Sequence, residues 1–570
     1  MISSSTLSSY FRIAAAVTIS SCAAIALIRT YLAGRTKRSH FSLHPTSSLL
    51  SSEISTHFET IKDAIANRLS IALRLRTISY ESSDGRPISL LSVSSDSNTT
   101  TSVVGGGGCL HCREILSAAG ASSTSFSSSN SSEVSPTTIE ESRKAFLSLH
   151  DHLQSSFPLL HKHLERHVVN TYSLLYIWRP ITETNLSGIC LCAHMDVVPV
   201  PDEKEWFYPP FDGVIADGFV NGRGAIDDKH ALMSICESVE YLLSKGFKPS
   251  RCVVLCFGHD EEQGGSDGAA NFPDLITRLI PVPMYQKPLK WLLDEGLFLI
   301  SDVMPNISSR TAIICTTEKG HVNVELSTNA NAGHSSIPPS SSSIGTLARG
   351  ITALEKNLYP SHLYPAMNLF KALLPAMPFF PRLVFSNEWL FGSMIEKILL
   401  SKPSTAAMLR TTTAVTIVGG GVKSNVMPPS ARAIVNRRIH PNESVEYVLK
   451  RDKATLMNAG INDISLNALE KLEPSPTSST TSKGWITISK ALEDSFSFNT
   501  PLPVPGLMLG NTDTRWFWNV AEDIYRHTPT ELTMASTAMF HGKNEKVEIS
   551  NLAKMCTFYT LMIMYGQDVD

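Results

Sequence analysis

The sequence predicts an α/β fold with a mainly parallel sheet, interrupted by an inserted α+β domain. Three observations carry that expectation. Apolar runs of strand length, "SLLYIW", "GICLCAHMD" and "CVVLCF", alternate with helical patterns such as Lys229 to Lys245, as strands joined by crossover helices do. After Cys315 a new alternating pattern, "HVNVELSTNA", opens, and "ARAIVNRRIHP" closes one. At 570 residues the chain is also too long for one ordinary core.

Taken in order, residues 1–40 form an N-terminal hydrophobic segment. Ile13 to Ile28 is a continuous weakly polar run, shorter than the ~20 residues of a spanning helix, which Tyr31 and Leu32 extend if Arg29 snorkels. A membrane anchor formed by this helix is the expectation. A cleaved signal peptide or an organelle transit segment are the alternatives, since the first acidic residue is Glu53. Asn-x-Ser/Thr acceptors at Asn98, Asn130, Asn185, Asn306 and Asn442 suit a vacuolar or secretory lumen. The basic residues after the run, Arg29, Arg35, Lys37 and Arg38, favour the opposite topology.

Residues 55–319 are expected to be the first part of the main domain. Within them 92–138 is Ser/Thr/Gly-rich and buries too little apolar surface to order itself. Residues 320–474 read as an inserted lid, and 475–570 return to the main domain. The lid carries an extra apolar stretch, Met367 to Leu400, expected as a buried helical hairpin or else as a greasy surface for an acyl chain or a membrane.

A formal net charge of -3 offers no basic field for nucleic acid. Ten cysteines do not make a disulfide scaffold, and Cys190, Cys192, Cys252, Cys256 and Cys315 fall in apolar runs as small buried thiols. The Cys109-Leu-His-Cys112 pair lacks a second pair at zinc-knuckle spacing.

The chemistry lies at the ends of the predicted strands. "GHDEEQGG" sets Asp260, Glu261 and Glu262 side by side after an apolar run, and carboxylates so crowded need a cation. "AHMDVVP" puts His194 and Asp196 on one side of another strand end, with Met195 facing the other way. "GRGAIDDK" offers Asp227 and Asp228, "LLDEG" offers Asp294, and "HGKNEK" offers His541. Together these are the nitrogen and oxygen ligands of a two-zinc catalytic site, with no thiolate among them.

The order "AHMDVVP", "GRGAIDDK", "GHDEEQGG", "LLDEG", "GHSSIPP", "KSNVMPP", "HGKNEK" resembles the metallopeptidases and aminoacylases of the M20 type. It is most similar to the branch of Gly-X carboxypeptidases and N-fatty-acyl-amino-acid synthase/hydrolases. The resemblance implies a zinc-exopeptidase-like catalytic domain and two Zn²⁺ ions. Asp227 would bridge them, His194 and Asp294 would bind one, and Glu262 and His541 the other. Glu261 would be the general base, with Asp196 orienting His194. From the lid, His334 would serve the oxyanion, while Asn425 and Arg438 would hold the substrate carboxylate. His230 and Trp516 stand where the family pattern differs. The resemblance also implies hydrolysis of amide bonds beside a free C-terminal carboxylate, in peptides or in N-acyl amino acids, and a possible homodimer through the lid. An inactive peptidase-fold binding protein is the remaining alternative.

Overall fold

A computed structural model describes residues 23–34, 45–80, 135–303, 307, 309–496 and 501–567. Cys109 and Cys112, most of 92–138, and the acceptors Asn98, Asn130 and Asn306 lie outside these residues. So does the apolar run upstream of residue 23.

The centre is an eight-stranded sheet in the order Glu165–Val169, Ser173–Trp178, Val253–Gly258, Gly188–His194, Leu289–Ile300, Ala521–Leu532, Thr311–Glu318, Leu502–Met508. Gly188–His194 runs parallel to both of its neighbours, and Leu289–Ile300 runs parallel to Ala521–Leu532. Ser173–Trp178, Gly188–His194 and Val253–Gly258 are buried at every position, because the sheet is covered on both faces. On one face Leu174, Tyr176, Leu191 and Leu255 meet the helices Lys229–Ser244 and Ile549–Tyr565. On the other, Leu175, Ile177, Cys190 and Val254 meet Phe272 and Ile276 of the helix Phe272–Leu279. Continuous apolar strands of this kind leave only their carboxyl ends for polar side chains.

Strands between Gly320 and Leu472 pair among themselves in a four-stranded antiparallel sheet. Gly320–Asn329 alternates buried and half-buried residues, so only one face is covered. Val322, Val324, Leu326, Ala433 and Val435 form that face, packed with Leu347 and Leu354 of Ser343–Lys356 and with Val448 and Leu456 of Val445–Asn458. Ser342 and Ser444 cap these two helices by accepting from the amides of Gly345 and Tyr447.

The stretch from Met367 to Leu400 differs from a buried hairpin. It forms the helices Ala366–Leu373, Phe379–Ser386 and Glu388–Leu400. Met367, Phe370, Phe385, Ile395 and Leu399 are buried, but Phe380, Trp389, Leu390 and Ile398 face outward. Among the described residues only one side of the layer has a partner. Among the described residues no helix is long and apolar enough to cross a membrane, so the anchor expected of the N-terminal segment is not seen in them.

Candidate metal centre

Asp227 stands at the centre of a cluster made by strand and loop ends. Its Oδ1 lies 2.9 Å from His194 Nε2, and its Oδ2 lies 2.8 Å from His541 Nε2. His194 closes the strand Gly188–His194, whereas His541 belongs to a loop near the C-terminus. Each imidazole meets one further carboxylate: Glu295 Oε2 is 3.7 Å from His194 Nε2, and Glu262 Oε2 is 3.2 Å from His541 Nε2. Two ligand groups therefore share Asp227: His194 with Glu295, and His541 with Glu262.

Glu295 occupies the place expected of Asp294. Both lie in the strand Leu289–Ile300, where successive side chains point to opposite faces, so only one of them can turn toward His194. Asp294 instead accepts from the Glu295 amide, and it lines a small cavity with Glu261, Asp513 and the thiols of Cys192 and Cys256. Its other oxygen is buried without a partner.

The three adjacent carboxylates of "GHDEEQGG" separate in space. Asp260 accepts from the amides of Asp267 and Gly268, which ties down its own loop. Glu261 and Glu262 enter a single turn of 3₁₀ helix whose amides donate to Asp196, at 3.1 Å each. Asp196 also accepts from Ser79 at 2.6 Å and lies 3.2 Å from His194 Nδ1. One buried carboxylate thus fixes both the ring of His194 and the turn that presents Glu261 and Glu262.

A second tie holds His541. Arg223 pairs with Glu545 at 2.6 Å, both fully buried, and donates to the carbonyls of His541 and Gly542. Glu545 also accepts from the Ile226 amide, next to Asp227. The Asp227 loop and the His541 loop, more than three hundred residues apart, are locked together. Sequence reasoning passed over Arg223 and Glu545; their only signal was two charged residues inside the motifs "NGRGAIDDK" and "HGKNEK".

The electrostatics show what the cluster lacks. Burial pushes Glu261 well above the carboxylate range, and the charge of Glu295 adds to it. Glu262 is pushed up to about 7 by burial and by Asp227, and Asp294 to about 7 by burial and by Glu295. Burial alone would strip the imidazoles of their protons, yet Asp227 and Glu262 carry His541 up to about 10. His194 is likewise held well above the usual range, by Glu295, Asp196 and Asp227. So crowded a set of carboxylates favours positive charge at both histidines. Two imidazole nitrogens, a shared carboxylate and two flanking carboxylates, with Glu262 Oε1 buried and unpaired, fit divalent ions such as zinc. Binding there would release the histidine protons.

The lid residues are not gathered at this cluster. His334, in a two-stranded sheet with Val426–Met427, and Asn425, in the turn before that strand, are exposed; the His334 ring contacts Ser336 and the Asn425 carbonyl accepts from Ser335. Arg438 does reach the main domain: it donates to Asn511 Oδ1 at 2.6 Å. Beside it stands Arg515, whose guanidinium lies against Gly264 of the carboxylate turn. Burial depresses Arg438 below the usual guanidinium range and the charge of Arg515 depresses it further, so the two cations repel, as a pair does that an anion would neutralise. Arg515 was hidden in "GNTDTRWF". His230 is a buried packing residue bonded to Thr530, and Trp516 donates to the Gly264 carbonyl.

A model described as Peptidase family M20/M25/M40 matches residues 190–565. A probable carboxypeptidase S-like protein of Dictyostelium discoideum is 38% identical over 73% of this chain and 79% of its own. An N-fatty-acyl-amino acid synthase/hydrolase of Xenopus tropicalis is 36% identical over 76% of this chain and 82% of its own. The crystal structure of an M20 family metallo-carboxypeptidase from Sulfolobus solfataricus superposes with a TM-score of 0.54 at 20% identity, covering 74% of this chain and 94% of that one, and shares the fold. Every motif of the cluster falls inside the matched residues, and identity at this level extends over most of both relatives: the chain belongs to the M20 metallopeptidases and is a metal-dependent hydrolase.

Proposed function

We propose that the chain uses two zinc ions to hydrolyse amide bonds next to a free C-terminal carboxylate, as a carboxypeptidase acting on peptides. The observation that carries this reading is Asp227, whose two oxygens each face the Nε2 of a different histidine. The ligands of one ion are His194, Glu295 and Asp227; those of the other are His541, Glu262 and Asp227. Zinc held there supplies Lewis acidity to the scissile carbonyl and brings water toward ionisation near neutral pH.

The residues of the chain do the rest. Glu261 takes a proton from the attacking water and passes it to the leaving nitrogen. Asp196 keeps His194 oriented and the Glu261 turn in place. Arg438 grips the substrate carboxylate, with Arg515 beside it and Asn425 brought in from the lid segment 320–474. His334 donates to the oxyanion after lid closure or from a partner copy. A lumenal or secreted address goes with this reading, and the acceptors Asn185 and Asn442 are both exposed.

A second reading, hydrolysis or synthesis of N-fatty-acyl amino acids, is favoured by the outward apolar residues of the lid helices and by the name of the Xenopus relative. Both readings need the free carboxylate. Blocking it as an amide is expected to slow the reaction by about 2 to 5 kcal/mol, roughly 30-fold to several-thousand-fold, and Arg438→Ala should erase most of that preference. Equal rates on free and blocked substrates would reject both. Paired assays of a long-chain acyl amino acid and a short dipeptide then separate the two readings.

Asp196→Asn tests the orienting role. It keeps the shape but loses an acceptor, and metal affinity or activity is expected to fall about 10- to 100-fold. A chelator competition showing wild-type affinity, together with wild-type turnover, would assign Asp196 to folding alone.

A further inference from the structure

The helix over residues 23–34 lies on the lid hairpin, and the join between them is built inside out. The inner face of that helix is small and polar: Ala26, Thr30 and Gly34 recur every fourth residue. Thr30 is 1% exposed and meets Ser386 Oγ at 3.3 Å, and the buried Asn387 amide donates to the Ala26 carbonyl at 3.2 Å. A Cβ at Gly34 would collide with the Arg382 guanidinium. Yet the outward faces are apolar: Ile28 is 57% exposed, Phe380 76% and Trp389 49%, with Leu390 and Ile398 beside them in exposure. A pair of helices meeting in water buries apolar faces and shows polar ones. Small residues and hydrogen bonds inside, with large apolar side chains outside, suit helices in contact with lipid.

Charge points the same way. Residues 1–52 carry Arg12, Arg29, Arg35, Lys37 and Arg38 and no acid, in a chain of net charge -3. The hairpin adds Lys371, Arg382 and Lys397 against Glu388 and Glu396. A cleft of about 690 Å³ between the two segments is lined by Leu363, Leu374, Phe385 and Trp389 together with Arg29 and the Lys371–Glu388 pair at 2.8 Å, so two cations against one acid sit over apolar walls. Exposed Trp and Phe among such cations match the level of lipid headgroups.

We propose that residues 23–34 and the lid helices Phe379–Ser386 and Glu388–Leu400 form one interfacial face that seats the lid in a leaflet containing anionic lipid. The face lies in the membrane surface, and the 23–34 helix is a structural part of it. None of these residues belongs to the metal centre, so the proposal stands apart from the peptidase reading and assigns to lipid the outward side chains that the acyl reading also invokes.

The test uses the full chain with vesicles of phosphatidylcholine alone or with phosphatidylserine, and with brominated phosphatidylcholine as a fluorescence quencher. Partition is expected to be roughly tenfold stronger with phosphatidylserine. Brominated lipid should quench wild-type fluorescence, and Trp389→Phe should remove that quenched fraction. Phe380→Ser combined with Leu390→Ser and Ile398→Ser should lower partition roughly tenfold at an unchanged unfolding temperature. Equal quenching in wild type and Trp389→Phe would overturn the proposal even if another part of the N-terminus holds the chain to the vesicle. It would also be overturned if the triple variant kept its partition and changed only the oligomeric state, because the face would then be covered by a second copy.

Discussion

Glu261→Gln is expected to retain its metal and lose turnover by about 10²- to 10⁴-fold. The amide replaces a proton acceptor with a group of the same shape, and the turn survives because it is held by the main-chain amides of residues 261 and 262 on Asp196, not by the Glu261 side chain. Binding of substrate should change little, so the loss should fall on kcat rather than on KM. Metal analysis of the purified variant, set beside its kinetics on one free-acid substrate, checks the result. Activity near wild type would move the base to another residue. Loss of metal with loss of activity would make Glu261 a ligand instead.

Asp227→Ala should have the larger effect: both metal positions empty and activity falls below detection. Without Asp227 each ion would keep one imidazole and one carboxylate, His194 with Glu295 or His541 with Glu262, too few to hold zinc against water. The variant also removes the leading pull that raises His541, while His194 keeps Glu295 and Asp196. Two metal ions retained per chain after dialysis would reject the shared ligand. One ion retained would leave Asp227 serving a single position, and the activity of that form would show whether hydrolysis needs both.

The sequence by itself determined the alternation of buried strands with helices, because a strand covered on both faces is apolar at every position and reads as an unbroken run. It also determined the kinds of group at the strand ends. Adjacent carboxylates after an apolar run point to a cation that answers them, as Glu262 does here, although Asp260 proves to be held by the amides of its own loop. The structure brings His194, Asp227, Glu262 and His541 together, and all four were legible in their motifs.

What only the tertiary structure decided were directions and distant encounters. Asp294 and Glu295 are equivalent as letters in "LLDEG"; the two-residue period of the strand turns Glu295 toward His194 and Asp294 toward the cavity behind it. Arg223 and Glu545 show nothing special in sequence, since their value is a contact between two loops that meet only in the fold. The same holds for Arg515, whose charge becomes informative only beside Arg438. The apolar stretch from Met367 to Leu400 shows why most sharply. Hydrophobicity is a property of the residue, but whether a face is buried depends on what packs against it, and here the small, polar side of the 23–34 helix covers one flank and leaves Phe380 and Trp389 outward.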